Sequence, residues 1–386
     1  MGFFKIKNYS GAARTGVLST GHGTVNTPSF IPVATHGVLN CLNPDEIKKI
    51  GVQIMISNTL HTHLQPGENL VEEMGGLHDF MGWNGPLMTD SGGFQAFSLG
   101  PGKSVGLNKA GPSIMGKKGK ILSRIDNDGI NFISYIDGSS HFFTPEKCME
   151  IQAKLAPDIF LVLDECTACA QDYDYTKKAM ERTHLWAEKS LDAFNKLKKK
   201  GQLVFGIVQG GLFQDLREES SRLVAGLDVD GCAIGGCLGP DKKEMFQVAA
   251  WANSHLPVNQ PKHLLGIGEI EDILMGVDMG LDLFDCVLPT RLARTGTFLV
   301  KDRPRFRLHI TNKAFTHAKE PIESDCPCLA CKRSKSYIRH LFKIKEPLGF
   351  RLACIHNLMF MEKLMSDIRG AIDKGRWDKL KKEWGQ

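Results

Sequence analysis

A chain of 386 residues has room for one large domain, or for one domain with an appendage. Its composition, 42% hydrophobic and 24% charged, is that of an ordinary soluble globular protein, and no apolar run approaches the roughly 20 residues of a membrane span. The net charge of +5 is unevenly placed: Arg291 to Lys345 holds 14 Lys and Arg against 4 Asp and Glu, which leaves the rest mildly acidic and points to a polyanionic partner docking on one side.

The N-terminal MGFFKIKNYSG lacks the apolar core and cleavage site of a signal peptide, and Ile6 does not meet the Ser/Thr requirement for myristoylation. The 11 cysteines are scattered and odd in number, so the expected setting is a reducing cytoplasm with thiols as core residues or metal ligands. Residues 1–27, rich in Gly, Ser and Thr with short β-prone runs, read as a small sheet covering one end of the main fold. Eight short apolar runs then recur: Phe30 to Ala34, Val52 to Ser57, Pro86 to Asp90, Asp158 to Asp164, Leu203 to Gln209, Gly231 to Gly236, His263 to Ile267 and Leu281 to Val287.

Helix signatures lie between them. Asn43-Pro44-Asp45-Glu46 and Thr144-Pro145-Glu146 each place a capping residue before Pro and an acid in the first turn. Tyr173 to Lys200, Gln214 to Ala225, Lys242 to Asn253 and Glu271 to Met279 are further helical stretches. This alternation predicts an α/β fold, a (β/α)8 TIM barrel rather than an open doubly wound sheet. The absence of Gly-x-Gly-x-x-Gly after the first strand also counts against a dinucleotide fold. One insertion, at about 97–143, interrupts the barrel after its third strand. Within it Arg124 to Tyr135 alternates around an Asp-Gly turn as a β-hairpin, preceded by a basic, Gly-rich stretch.

Polar residues end several strands: Asn58, Asp90, Asp164, Gln209 and Asp285. The C-terminal rim of such a barrel carries the active site. Asp285 sits in the apolar run LFDCVL, where a carboxylate is costly unless it is paired or has a task. A Pro-Thr turn is expected after it, then Arg291 and Arg294. Two carboxylates on different strands, Asp90 and Asp285, suit displacement at a sugar C1′, one attacking and the other handling the proton. Asp164 and Gln209 offer the acceptor and donor groups that read a nucleobase edge. Gly235-Gly236 lets backbone approach a flat ligand, and Phe94 is placed to stack on it.

Cys326, Cys328 and Cys331 form C-x-C-x-x-C, and His356 follows after 24 residues. Three thiolates and one further ligand close a tetrahedral Zn²⁺ shell with no open position, which makes the site structural. By spacing alone His356, His340 and Cys354 all remain candidates for the fourth place. The basic, helix-prone stretch Lys332 to Lys345 would be pinned by this ion where it meets phosphates. The expected division is a catalytic barrel over 1–300 and a zinc-binding subdomain with C-terminal helices over 301–386, packed on the barrel.

The segments TPSFIPVATHG, NTLHTHLQPG, MTDSGGFQAFSL, YIDGSSHFFTPE, LDECT, GIVQGG, AIGG, FDCVLPTRLARTG and CPCLAC with IHN run in order through nearly the whole chain. Together they resemble the tRNA-guanine transglycosylases, the queuine tRNA-ribosyltransferases, of bacterial type. The resemblance implies a (β/α)8 barrel with a zinc subdomain, usually a homodimer in bacteria. It implies exchange of guanine 34, the wobble base of tRNAs with G-U-N anticodons, for a 7-substituted 7-deazaguanine in queuosine formation. Carried over, Asp285 is the nucleophile on ribose C1′ and Asp90 the general acid/base. Asp164, Gln209 and the Gly236 backbone hold the base edge. Arg291 and Arg294 contact the anticodon loop, and Cys326, Cys328, Cys331 and His356 bind zinc.

The chain departs from the family pattern in places. Where bacterial members carry a GGLAVGE-like segment, Gly235 to Glu244 reads GGCLGPDKKE, so the motif's Glu is missing. Leu265 stands where a Met usually lies on the face of the base, and Leu60 replaces the Tyr of NTYHL. About twenty residues are added before Lys120. In bacterial members a carboxylate beside the 7-substituent suits the aminomethyl cation of preQ1; its loss removes that favourable charge and leaves two incoming bases open, preQ1 with altered contacts and the bulkier queuine. The alternative readings are a non-catalytic RNA-binding subunit, which would be expected to lack catalytic residues, an enzyme acting at position 15 in the D-arm, and an unrelated barrel hydrolase.

Overall fold

The computed structural model describes residues 2–94, 123–169, 171–236, 239 and 241–384. The Gly-rich basic stretch of the insertion and the substituted pair Cys237 and Leu238 lie outside the described residues. Three antiparallel strands open the chain, β1 (Phe4–Ser10), β2 (Ala13–Thr20) and β3 (Gly23–Thr27), forming the small sheet that the composition of this segment predicts. The barrel begins with β4 (Ser29–Ala34), β5 (Met55–Ser57) and β6 (Leu87–Thr89). The insertion follows as β7 (Ser123–Ile125), β8 (Ile130–Ile133) and β9 (Ser140–Phe143). The predicted hairpin is β7 and β8, and β9 pairs with β8 to make it a three-stranded sheet.

The barrel resumes with β10 (Ile159–Leu161), β11 (Leu203–Val208), β12 (Gly231–Ile234), β13 (Lys262–Leu264) and β14 (Leu283–Cys286). These five strands join β4, β5 and β6 in a closed parallel barrel, with Ile159 of β10 opposite Met88 of β6 at the closure. All eight apolar runs of the sequence become its staves. Most of their side chains are hydrophobic because helices cover the outside and side chains fill the interior, with β13 (Lys-His-Leu) the most polar. Phe30, Phe160, Phe205 and Phe284, one each from β4, β10, β11 and β14, are fully buried. Beyond the barrel, β15 (Thr297–Leu299) pairs antiparallel with β16 (Arg307–His309).

The helices start where the local chemistry dictates. Asn43 closes a capping box on helix Pro44–Ile50: the Glu46 N–H donates to Asn43 Oδ1 at 2.9 Å, and the Asn43 N–H to Glu46 Oε2 at 3.2 Å. Thr144 Oγ1 accepts from the Lys147 N–H at 3.1 Å and starts helix Pro145–Leu155. Two features depart from the sequence reading. The expected Pro-Thr turn after β14 is helix Leu288–Arg294, because Pro289 falls in its first turn, where a missing N–H leaves nothing unpaired. The basic stretch 332–345 narrows to helix Lys335–Lys343, capped by Ser334.

Helix Pro347–Asp373 ties the C-terminal region to the barrel. Phe360, Met361, Leu364, Met365, Ile368 and Ile372 join the same hydrophobic core as Phe30 and Phe284. Leu352, Ala353, Ile355 and Leu358 of the same helix pack with Phe298, Ile338, Leu341 and Phe342. Among the described residues no helix is long and apolar enough to cross a membrane.

Candidate active site and metal cluster

Asp285 lies one residue before the end of β14, at the C-terminal rim, with its side chain 13% exposed. Its Oδ1 is 2.9 Å from Nε2 of His263 on β13 and accepts the N–H of Gly266 at 3.0 Å. His263 is opposite Leu283 in the parallel register, which brings it to the same side of the sheet as Asp285 two residues on. The His263 ring is fully buried, and its Nδ1 has no hydrogen-bond partner among the described residues. Gly266 has φ +74°, a left-handed conformation that glycine adopts without strain and that turns the chain just past β13.

Asp90 follows β6 on the same rim and is held on both oxygens. Asn58 Nδ2 donates to Oδ2 at 2.5 Å, while the N–H groups of Thr59 and Gly92 donate to Oδ1 at 2.9 and 3.2 Å. Thr59 Oγ1 also donates to the Asp90 carbonyl. Asn58 is thus doubly employed: its Oδ1 caps helix Thr59–Leu64 by accepting from the His61 N–H, and its amide N–H grips Asp90. In strand order β4 and β5 separate β14 from β6, so the two carboxylates face the mouth from separate staves.

Asp164 and Gln209 follow β10 and β11 and are both buried. Gln209 Nε2 donates to Asp164 Oδ2 at 2.7 Å, and Ser91 Oγ donates to Oδ1 at 3.3 Å. Burial pushes the Asp164 carboxyl up to about 6, against the pull of these two hydrogen bonds. Gln209 Oε1 is buried with no partner among the described residues. A buried acceptor of that kind calls for a donor. The amide lies flat against Gly235 and Gly236: a Cβ on Gly235 would come within 2.6 Å of Gln209 Nε2, and one on Gly236 within 2.9 Å of Oε1.

The other residues singled out in the sequence are placed as follows. Phe94 sits four residues past Asp90, half-buried at the edge of the described chain. Leu265 packs half-buried on the barrel core, its N–H donating to the Ile234 carbonyl at 3.1 Å. Arg291 is half-buried and Arg294 exposed, both on helix Leu288–Arg294. Neither has a carboxylate partner among the described residues. Arg294 lines a cleft of about 190 Å³ with Val33, Thr35, His36, Val287 and Thr290.

Three supporting residues escaped the sequence reading. His263 is one; its only signal is a polar side chain in the apolar run HLLG. Arg217 is fully buried, and donates from Nη1 to the Gly235 and Val208 carbonyls at 2.7 and 3.1 Å, from Nη2 to the Gly236 carbonyl at 3.2 Å and from Nε to the Gly211 carbonyl at 2.8 Å. It fixes the glycine pair from behind, yet in DLREES it reads as one more solvated helix charge. Asn357 donates from Nδ2 to the Pro289 and Thr297 carbonyls, each at 3.0 Å, and accepts the Leu299 N–H at 2.8 Å.

In the C-terminal region the Cys326, Cys328 and Cys331 sulfurs lie 3.8, 3.5 and 3.3 Å from His356 Nδ1, and the four donor atoms are all within 4.8 Å of one another. A regular tetrahedron built with Zn–S and Zn–N bonds places S and N about 3.6 Å apart. The donor set and its spacing therefore fit a zinc-type ion. His356 Nε2 lies 2.8 Å from the Leu299 carbonyl, the usual outer partner that leaves Nδ1 free to ligate. Cys354 and His340, the other candidates for the fourth place, are not in this group.

An eight-stranded parallel barrel with acidic residues at its C-terminal rim and a three-cysteine, one-histidine cluster beside it defines a class of barrel enzyme with an attached metal-binding segment. The family profile described as queuine tRNA-ribosyltransferase matches residues 9–386. A protein named queuine tRNA-ribosyltransferase from Roseiflexus sp. (strain RS-1) is 44% identical over 385 residues, covering 96% of each chain. Another of that name from Dictyoglomus turgidum is 43% identical over 381 residues, covering 98% of this chain and 92% of its own. This chain belongs to the queuine tRNA-ribosyltransferase family and is a transferase of that family.

Proposed function

We propose that the protein exchanges guanine 34 in the anticodon wobble position of G-U-N tRNAs for a 7-deazaguanine through a covalent aspartyl-ribose intermediate. The observation that carries this reading is the set of polar groups on the barrel rim: two separately held carboxylates, Asp90 and Asp285, with the buried pair Asp164–Gln209 on neighbouring staves. The target nucleotide leaves the loop stack to reach them. Asp285 attacks ribose C1′ as the bond to guanine N9 breaks, and Asp90 gives the departing base a proton. The incoming base then returns a proton to Asp90 as its N9 attacks C1′ and displaces Asp285. One glycosidic bond replaces another, so no energy source is consumed, and the covalent link shields C1′ from water between the two steps.

Asp164 and the open Gln209 Oε1 are acceptors suited to the N–H groups along the edge of a guanine-like base. Gly236, Phe94 and Leu265 complete the slot around it. Arg291 and Arg294, without carboxylate partners among the described residues, supply charge for the anticodon-loop phosphates. Cys326, Cys328, Cys331 and His356 hold a structural Zn²⁺, which when bound supplies a rigid cross-link and no open coordination position. The protein works in the cytoplasm, as a homodimer, with preQ1 or queuine as the incoming base.

The test is to trap the covalent RNA adduct on a denaturing gel with wild type, Asp90→Ala and Asp285→Ala. The adduct is expected with wild type and absent from Asp285→Ala. Its persistence in Asp285→Ala overturns the assignment, and its absence from every form, wild type included, favours the non-catalytic RNA-binding subunit.

A further inference from the structure

Among the described residues the side chain of Asp285 has two hydrogen-bond partners, and both meet the same oxygen. His263 Nε2 lies 2.9 Å and the Gly266 N–H 3.0 Å from Oδ1. Oδ2 has no partner there. We propose that His263 is a positioning residue that, with the Gly266 N–H, anchors Oδ1 of Asp285 and leaves Oδ2 as the atom that attacks the sugar; this rests on the assignment of Asp285 as nucleophile.

The tautomer follows from the surroundings. An ionised carboxylate only accepts, so the imidazole nitrogen facing it carries the proton. The other nitrogen, Nδ1, is buried in the barrel without a hydrogen-bond partner among the described residues. His263 therefore gives one hydrogen bond, from Nε2 to Asp285 Oδ1. The two donors come from rigid places, the paired strand β13 and the left-handed turn at Gly266 immediately after it. Fixing one carboxylate oxygen twice also fixes the rotation about the Cβ–Cγ bond. Oδ2 then enters each encounter already aimed, which removes part of the ordering that an in-line attack needs. The anchor acts through Asp285, so its loss is expected in the chemical step and not in binding.

The experiment uses the zinc-loaded full-length protein and two variants of similar side-chain length, His263→Gln and His263→Met. Gln keeps an amide N–H near the position of Nε2, and Met fills the space without a donor. Single-turnover adduct formation and steady-state exchange are measured on a G-U-N tRNA, with zinc content and thermal melting checked for each variant. Met is expected to slow adduct formation and lower kcat roughly 10- to 100-fold, the range for losing one hydrogen bond to a charged group, with KM for RNA unchanged. Gln is expected to recover most of that loss. A folded Met variant with wild-type kcat overturns the proposal, as does a fall carried entirely by KM. If Met does not fold, Gln decides: a folded Gln variant that binds RNA but forms no adduct overturns the positioning role, and one retaining at least about a tenth of the rate supports it. Asp285→Ala run alongside separates the two assignments. Adduct in Asp285→Ala removes the nucleophile reading itself, whereas no adduct there with wild-type kinetics in Met removes only the role of His263.

Discussion

Burial of Asp164 carries a pH prediction for the proposed base site. Its carboxyl is pushed up to about 6 because it lies in the barrel wall, and its two hydrogen bonds only partly offset the desolvation. Below that value the group is protonated and one oxygen becomes a donor; above it both oxygens accept, as the proposed contact with the N–H edge of a guanine-like base requires. KM for the incoming base is therefore expected to fall as pH rises through about 6. At pH 5, where about a tenth of Asp164 is ionised, KM should be about ten-fold higher than at pH 7.5. Steady-state exchange across that range, in wild type and Asp164→Asn, checks this; an Asn variant with the same pH dependence would assign it elsewhere. Folding stability moves the other way. A carboxyl raised in the folded state favours folding at low pH and loses that contribution as pH rises through about 6.

The metal cluster and the arginine-bearing helix Leu288–Arg294 are mechanically one element. His356 reaches the Leu299 carbonyl, and its neighbour Asn357 bonds the Pro289, Thr297 and Leu299 backbone. Both sit on helix Pro347–Asp373, which also packs into the barrel core. With a zinc-type ion held by these four mutually close ligands, its removal would take outer support from the segment between Pro289 and Leu299. Cys328→Ser is expected to lower zinc content from about one ion per chain to near zero, since a complete shell is needed to hold it. The melting temperature and tRNA affinity should fall with it. Metal analysis, thermal melting and a tRNA-binding titration on the same samples decide the matter. Unchanged tRNA binding in a zinc-free, folded variant would uncouple the two elements.

Across the whole molecule the base of the barrel has its own clamp. Asp158, just ahead of β10, accepts the His22 N–H at 3.1 Å and the Leu87 N–H at 2.9 Å, and lies 2.9 Å from His22 Nδ1 and 3.3 Å from His78 Nε2. It joins the first small sheet, helix Leu77–Met81 and β6 at one carboxylate. Burial raises its pKa, but the His78, His22 and Leu87 contacts outweigh that and hold it below the ordinary value of 3.8. A depressed carboxylate contributes stability above its unfolded value and loses it as pH falls through the folded one. Acid unfolding of wild type should therefore steepen below about pH 4. Asp158→Asn should be less stable at neutral pH and show a shallower acid limb. Denaturant melts at pH 7, 5 and 3.5 test this, and parallel losses in both proteins at every pH would show that Asp158 is not the group responsible.

What the sequence determined by itself is what local chemistry writes into short stretches. Eight apolar runs became eight parallel staves because a strand buried on both sides is hydrophobic throughout, and Asn43 and Thr144 started helices because capping is read within four residues. The polar residues at the strand ends and the C-x-C-x-x-C cluster were legible for the same reason: their meaning is carried by residue type and spacing along the chain. The third strand of the inserted sheet was not, since a hairpin announces its own turn while β9 returns to β8 only through tertiary pairing. Nor were the groups that hold the site. His263 and Asp285 are 22 residues apart and meet only once β13 and β14 take their register. Arg217 becomes a buried clamp only when its helix is laid across the ends of β11 and β12. Asn357 reaches Pro289 across 68 residues. Such contacts depend on which strands pair and how helices pack on them, and that is settled by the closing of the barrel and not by any single stretch of the chain.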